Sequence, residues 1–447
     1  MPRPRDPRLN RRTLLARTGA AGLAAAFMPR GGALPAASAP RFVPPRRQDE
    51  PVTLRYTSWE LYPQQAENER KTLIEPFQAQ FPGITVENSA VAGYDAYWQK
   101  MQTLYATNQA PDVYAMSVGY EWDFANEGKI IDIDDQIKAE MPEADYFQSP
   151  LPMLRYPDPS GRLYAFPFQW VCSVLYYNKD LFDQAGVPYP DESWTYDTLL
   201  DAAKELTGEG QFGFNSNSAH TQLDAAIHAN GGKVLNDDYK TCALADSPEA
   251  IETIQWFVDL IATHGVAPDA NQSRDIGLGT ANSPFQLGRV AMVIDGSWQI
   301  STTRGVNFNW DIAMVPSGTE SRVIYGGPDS LSISATTPNV EEAWEFLKYA
   351  VGPARTVESF GAGVVPIYKA TANSEAWLQA GQDPANMNVL LETEPYMMGA
   401  EFISNNWTEW RITAMNSDLT PAFLGASSVE DAVQTATTNI DAILAKP

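Results

Sequence analysis

The chain has 447 residues, 44% of them apolar, which is too long for one hydrophobic core and far from the composition of a disordered protein. Its formal charge of −24 argues against a nucleic-acid partner, whose phosphates demand Lys and Arg, and against docking on an anionic membrane. Most of the carboxylates read as a solvated face and do not identify a ligand.

The N-terminus carries Arg11-Arg12 followed by Thr13-Leu14-Leu15-Ala16, a weakly apolar stretch to Met28, and the small residues Ala36-Ala37-Ser38-Ala39. Residues 1–39 therefore read as a twin-arginine signal peptide, with an apolar core too short to span a bilayer as a helix. No cysteine lies near the cleavage region, so the expectation is an exported protein, periplasmic or at the cell surface, without a lipid anchor. Ten arginines fall in the first 47 residues against the single Asp6, leaving 21 basic and 54 acidic residues and a charge of −33 for the rest. Residues 40–51 are a Pro-rich linker.

Order begins with the alternating, β-branched run Val52–Thr57, a first strand. A helix over 68–81, a strand at 84–88, a helix over 94–108 and a strand at 112–116 follow. This alternation predicts an α/β sheet with helical crossovers. Further on, Ser247-Pro248-Glu249 is an N-cap with proline in the first turn, and Ile251, Ile254, Val258 and Ile261 share the helix face that follows. Val290–Ile294 and Leu331–Ser334 read as short strands, 340–351 as a helix, and 428–444 as an amphipathic C-terminal helix. Cys172 sits in an apolar run as a small core residue, and its sequence distance from Cys242 decides nothing about a disulfide.

The segment Leu175-Tyr176-Tyr177-Asn178-Lys179-Asp180-Leu181-Phe182-Asp183-Gln184-Ala185-Gly186-Val187, continued by Pro190, Trp194 and Leu199–Thr207, resembles a signature of the family 1 extracellular solute-binding proteins of ABC importers. Ala110-Pro111-Asp112-Val113, Phe285–Met292 with Gly296-Ser297-Trp298, Gly326-Gly327 and Gly363–Pro366 resemble further blocks of that family in the same order. The resemblance implies a two-lobed periplasmic-binding-protein fold of type II-like α/β architecture, with the ligand cleft at the hinge. It places lobe 1 at 52–167 with 322–365, and lobe 2 at 168–321 with 366–447. It further implies closure on a small ligand, Venus-flytrap fashion, and an ABC permease as partner. The ligand class it implies is a sugar, oligosaccharide or polyol, bound by a monomer. Glycerol 3-phosphate or a glycerophosphodiester is the alternative within the family.

Sugars need aromatic faces beside hydrogen-bonding side chains. Trp59 and Glu60 follow the first strand and Ser117, Gly119 and Tyr120 follow the 112–116 strand, the carboxyl ends at which open α/β sheets place ligands. Gln169-Trp170 lies at the expected hinge, where Trp170 either stacks on ligand or buries against the linker. Ser297-Trp298 closes a strand-to-helix turn whose amides and hydroxyl could hold a polar or anionic group. Tyr94 opens a helix and faces cleft or core. Gly326 and Gly327 stand near the ligand by family position. Trp407 or Trp410 offers a second stacking surface. Arg411 either clamps a phosphate, brackets two hydroxyls, or pairs with Glu409 or Asp418.

No metal or cofactor is expected, because His220, His228 and His264 have no ligand-type spacing and no dinucleotide or Walker motif occurs. No catalytic constellation is present either, although a secreted glycosidase using Glu60 with another acid stays open on carboxylate count. A non-enzymatic receptor is the reading that the residues favour.

Overall fold

Among the described residues, nine strands account for the main sheet of the computed structural model: β1 (Val52–Thr57), β2 (Ile84–Asn88), β3 (Val113–Ser117), β4 (Phe166–Asn178), β5 (Phe212–Asn215), β6 (Val290–Gly296), β7 (Trp310–Ala313), β8 (Gly326–Ile333) and β9 (Val365–Pro366). The residues described are 51–60, 65–215, 219–275, 285–379, 382–398, 404, 406–407 and 409–446. The leader and all but the last residue of the linker lie outside them, and the chain from Asp49 onward is a compact unit.

The strand order is β2-β1-β3-β8-β4-β6-β5, with β7 and β9 also paired to β4. On one side β1 runs parallel to β2 and β3, and β8 is antiparallel to β3. On the other side β6 is parallel to β5 and antiparallel to β4.

Strand β4 joins the two halves. Its residues Phe166–Cys172 pair with β8, whereas Ser173–Tyr177 pair with β6 and Leu175–Asn178 with β7. Flanked on both edges, every residue of β4 except Val171 is buried, which explains why it reads in sequence as a near-continuous apolar run. The partner change at Cys172/Ser173 is the point at which one half-sheet hands the chain to the other. At the same level β9 lies against Gln169 and Trp170, and β8 starts with Gly326 opposite Cys172.

Local signals set most element boundaries. Ser247 accepts a hydrogen bond from the Ala250 N–H and starts the helix Pro248–Ala262. Asn178 caps Lys179–Ala185, which ends at Gly186 with φ of 70°. Ser428 caps Val429–Leu444, which packs on Pro248–Ala262. The expected helix over 68–81 starts at Gln65 and passes through a π turn, Arg70–Ile74, before resuming over Glu75–Gln80. The strand expected at 331–334 begins earlier, at Gly326, because β4 supplies a pairing partner for a segment whose residue types alone suggest a turn. Cys172 and Cys242 are both buried and are not joined to one another.

Candidate functional site

Where β1 ends, the chain places Ser58 and Trp59, both buried, in the lining of a cavity that opens to solvent. Trp298, just beyond β6 in the other half of the sheet, faces the same cavity. Gln169 of β4 contributes from the joining strand, and Glu69 and Arg355 complete a polar wall. Trp59 is held edge-on by Tyr94 and Tyr97, at centroid distances of 5.7 and 5.3 Å. Trp298 is half-buried and lies over Gly296, where a Cβ would come within 2.1 Å of its ring. A side chain at Gly296 would displace the indole from that position.

The polar groups of this wall are deeply buried. Glu69 is 2% exposed and Arg355 3%. Ser58 donates to Glu69 Oε2 at 3.0 Å, and Arg355 Nη2 lies 3.7 Å from Glu69 Oε1. Burial drives the Glu69 carboxyl above its ordinary range, with the Arg355 charge opposing. Gln169 Nε2 donates to Asp329 Oδ2 at 2.8 Å, and Ser117 also bonds Asp329. Burial pushes Asp329 up to about 7 and Glu121, which accepts from Ser330 at 2.6 Å, up to about 8.

A second aromatic cluster lies beyond the end of β3. Tyr120 stacks on Trp98 with centroids 3.5 Å apart, and the buried Tyr94 hydroxyl is hydrogen-bonded to Ser117. The Trp407 ring closes on Gly119, whose φ is 92°, leaving no room for a Cβ. Arg411 lies over the rings of Tyr325 and Trp407, at 4.3 and 5.2 Å. Its Nε donates to Asp224 Oδ2 at 2.6 Å, with Arg411 2% and Asp224 0% exposed.

Of the residues singled out in sequence, Trp59, Gln169 and Trp298 thus share one cavity. Tyr94, Ser117 and Tyr120 gather at the neighbouring cluster, linked to Gln169 through Asp329. Others are placed differently. Trp170 is completely buried with its ring 4.6 Å from Phe147, so it fills the core. Ser297 is also completely buried, and its hydroxyl accepts the Cys172 N–H at 3.3 Å. It ties β4 to the turn after β6, and the short turns Ser297–Gln299 and Ile300–Thr303 form no long helix behind it. Glu60 accepts from the Ala66 N–H at 3.0 Å and lines a separate groove with Arg70. Gly326 and Gly327 serve close packing, since a Cβ would meet the Val171 carbonyl oxygen at 2.6 Å or the Val118 side chain at 2.8 Å. Arg411 pairs with Asp224 rather than Glu409 or Asp418, and Trp410 is buried with its indole N–H donated to Ser404.

The family profile described as "Bacterial extracellular solute-binding protein" matches residues 65–356, more than half of the chain. The chain belongs to that family. A binding protein of Brucella abortus is 26% identical over 387 residues, covering 83% of this chain and 88% of that one. A maltotriose-binding protein of Pyrococcus abyssi is 24% identical over 59% of this chain and 56% of its own. Among solved structures, an ABC substrate-binding protein from Listeria monocytogenes in complex with cycloalternan superposes with a TM-score of 0.75. It is 22% identical, with 88% of this chain and 99% of that chain covered. A maltose-bound T. maritima protein gives 0.70 at 22% identity, with 87% and 99% covered. These likenesses establish the two-lobed α/β fold of a solute-binding protein.

Sequence reasoning missed Glu69, Arg355, Asp329 and Asp224. Glu69 left a trace, because it lies four and eight residues before Leu73 and Phe77 on the apolar face of its helix, where a carboxylate is out of pattern. Asp224 is similar, flanked by the buried Leu223, Ala225 and Ala226. Arg355 follows a helix in irregular chain and carries no periodic signal.

Proposed function

We propose that this solute-binding protein captures a sugar or oligosaccharide in the cleft between its lobes and delivers it to the permease of an ABC importer. The observation that carries the reading is the pair of indoles, Trp59 and Trp298, brought to one cavity from the two halves of the sheet, beside Gln169, Glu69 and Arg355. Aromatic faces suit the C–H faces of a pyranose, and the amide, carboxylate and guanidinium supply donors and acceptors for its hydroxyls. The ligands named for related structures, cycloalternan, maltose and mannobiose, agree with this chemistry.

In this reading the lobes comprise residues 52–167 with 322–365 and 168–321 with 366–447, turning about the crossing strands β4, β8 and β9. Closure brings Trp298 toward Trp59, and the closed form is what the permease recognises. The protein acts as a monomer that releases its ligand unchanged, with no nucleic-acid partner. Export follows the twin-arginine leader to the periplasm or cell surface. The glycerol-phosphate alternative is not favoured, since the buried Asp224 already balances the Arg411 charge.

A thermal-shift screen against mono-, di- and oligosaccharides, with glycerol 3-phosphate as competitor class, tests the proposal. Ligand binding to the folded state alone raises the melting temperature by mass action. A sugar-specific rise is expected, and a flat response to every sugar with a rise for glycerol 3-phosphate would sink the reading. Prolonged incubation with the binding sugar should leave it chemically intact.

A further inference from the structure

The guanidinium of Arg355 is held without being satisfied. It lies between the rings of Phe168 and Phe360, 4.5 and 4.7 Å from their centroids. Its polar contacts are long: 3.7 Å to Glu69 Oε1 and 3.5 Å from Nη1 to the Ala350 carbonyl. Its Nε, fully buried, has no hydrogen-bond partner among the described residues. A guanidinium carries five N–H donors, and buried donors left unmet cost free energy, so such a group in a native cavity wall calls for an acceptor. Arg411 shows the contrast, being equally buried but closed on Asp224 at 2.6 Å.

Glu69 stands beside Arg355 on the same cavity wall, with Oε2 already accepting from Ser58. Together they present a planar donor fork and a carboxylate acceptor with no net charge. An anionic ligand group facing the fork would also face Glu69, and a cationic group facing Glu69 would also face Arg355. Two adjacent hydroxyls match both, because each oxygen accepts from the fork while one O–H donates to the carboxylate.

We infer that Glu69 and Arg355 are specificity-determining residues that select an uncharged ligand ring bearing two adjacent free hydroxyls. The inference rests on the sugar-binding reading and narrows it, excluding uronic acids and sugar phosphates at this wall. Discrimination comes from mismatch as much as from contact, since a charged or deoxygenated ring leaves a buried group unpaired.

The experiment measures calorimetric affinity of the full protein and its Glu69→Gln and Arg355→Lys variants. The probes are D-glucose, D-mannose, maltose, maltotriose and mannobiose, with D-glucuronate and inorganic phosphate as charged probes. The tightest sugar is then compared with its monodeoxy analogues. Each variant should bind that sugar at least about tenfold more weakly, as expected for losing a charge-assisted hydrogen bond. Wild type should reject at least one monodeoxy analogue, and Glu69→Gln should bind parent and analogue alike, a change that a purely structural role would not produce. Arg355→Lys keeps the cation beside Glu69, so it carries the test if Glu69→Gln fails to fold. Unchanged affinity and unchanged discrimination in the variants would overturn the inference and leave the sugar reading standing. Tightest binding of glucuronate or phosphate would overturn the inference as well. If no sugar binds wild type, both fall together.

Discussion

Two parts of the molecule use the same kinds of side chain for opposite ends. At the cavity, Trp59, Trp298, Glu69 and Arg355 combine indoles, a carboxylate and a guanidinium. Beyond β3, Trp407, Tyr325, Asp224 and Arg411 do the same. The difference lies in closure. In the second cluster the ion pair is 2.6 Å long and the Trp407 ring is seated on Gly119, so the two charges meet directly and the ring is held in place. In the first, the ion pair is 3.7 Å long, a guanidinium nitrogen has no partner among the described residues, and both indoles line a cavity. Residue type does not separate a ligand site from a structural knot; the closeness of the ion pair and the open space beside it do.

The sharpest way to break this comparison is Arg411→Ala. Removing one member of a fully buried pair leaves Asp224 uncompensated, and a loss of about 3–5 kcal/mol in unfolding free energy is expected. Urea denaturation of the ligand-free protein reads it directly. A stable variant with lost ligand binding would move Arg411 to the ligand side of the comparison.

Trp298→Ala addresses the other region. The ring is half-buried and faces open space, so stability should change little. Affinity for the best sugar should fall by about 2 kcal/mol, or roughly 30-fold, as for other aromatic anchors in a binding site. Calorimetric titration checks the affinity, and an unaltered Kd would remove this indole from the site.

How much of this was legible in the sequence follows from the range over which each feature is set. The strand Val52–Thr57, the cap at Ser247 and the helix Val340–Val351 depend on periodicity and capping within a few residues, and each appears where those signals point. Strand β8 begins earlier than its residue types suggest because Gly326 and Gly327 pair with β4, far away in the chain. The site divides in the same way. Trp59 and Trp298 could be named because they follow strand ends, a local property. Arg355 could not, because its significance comes from Glu69, Phe168 and Phe360, which only the fold brings beside it. Trp170 shows the converse: position at the joining strand suggested ligand contact, but its side chain is completely buried with its ring against Phe147.

Gly119→Ala tests the seating of Trp407. Alanine is strained at a φ of 92°, and its Cβ would come within 2.4 Å of the indole. A loss of roughly 1–2 kcal/mol is expected by urea denaturation, with ligand affinity nearly unchanged. Ligand binding that collapses while stability holds would show that the two regions act as one site.

The smallest effect comes from Asp329, which stands between the regions. Gln169 of the cavity donates to it, and Ser117, the partner of Tyr94, bonds it from the other side. Burial holds its carboxyl at about 7 in the folded protein, against 3.8 as the ordinary value. Over that interval the native state keeps a proton that the unfolded chain has released, so stability declines as pH rises and levels off above the folded value. Asp329→Asn removes this titration while keeping an acceptor for Gln169. Between pH 6.5 and pH 8 the wild type should therefore lose about 0.8 kcal/mol more than the variant, measured by urea denaturation at both values. Glu121, pushed up to about 8 chiefly by burial and further by the Asp329 charge, is coupled to this titration, so the difference reads Asp329 together with its effect on Glu121. Equal slopes would mean that Asp329 is ionised throughout. The hydrogen bond from Gln169 would then be charge-assisted and fix that amide at the cavity more firmly than a neutral acid could.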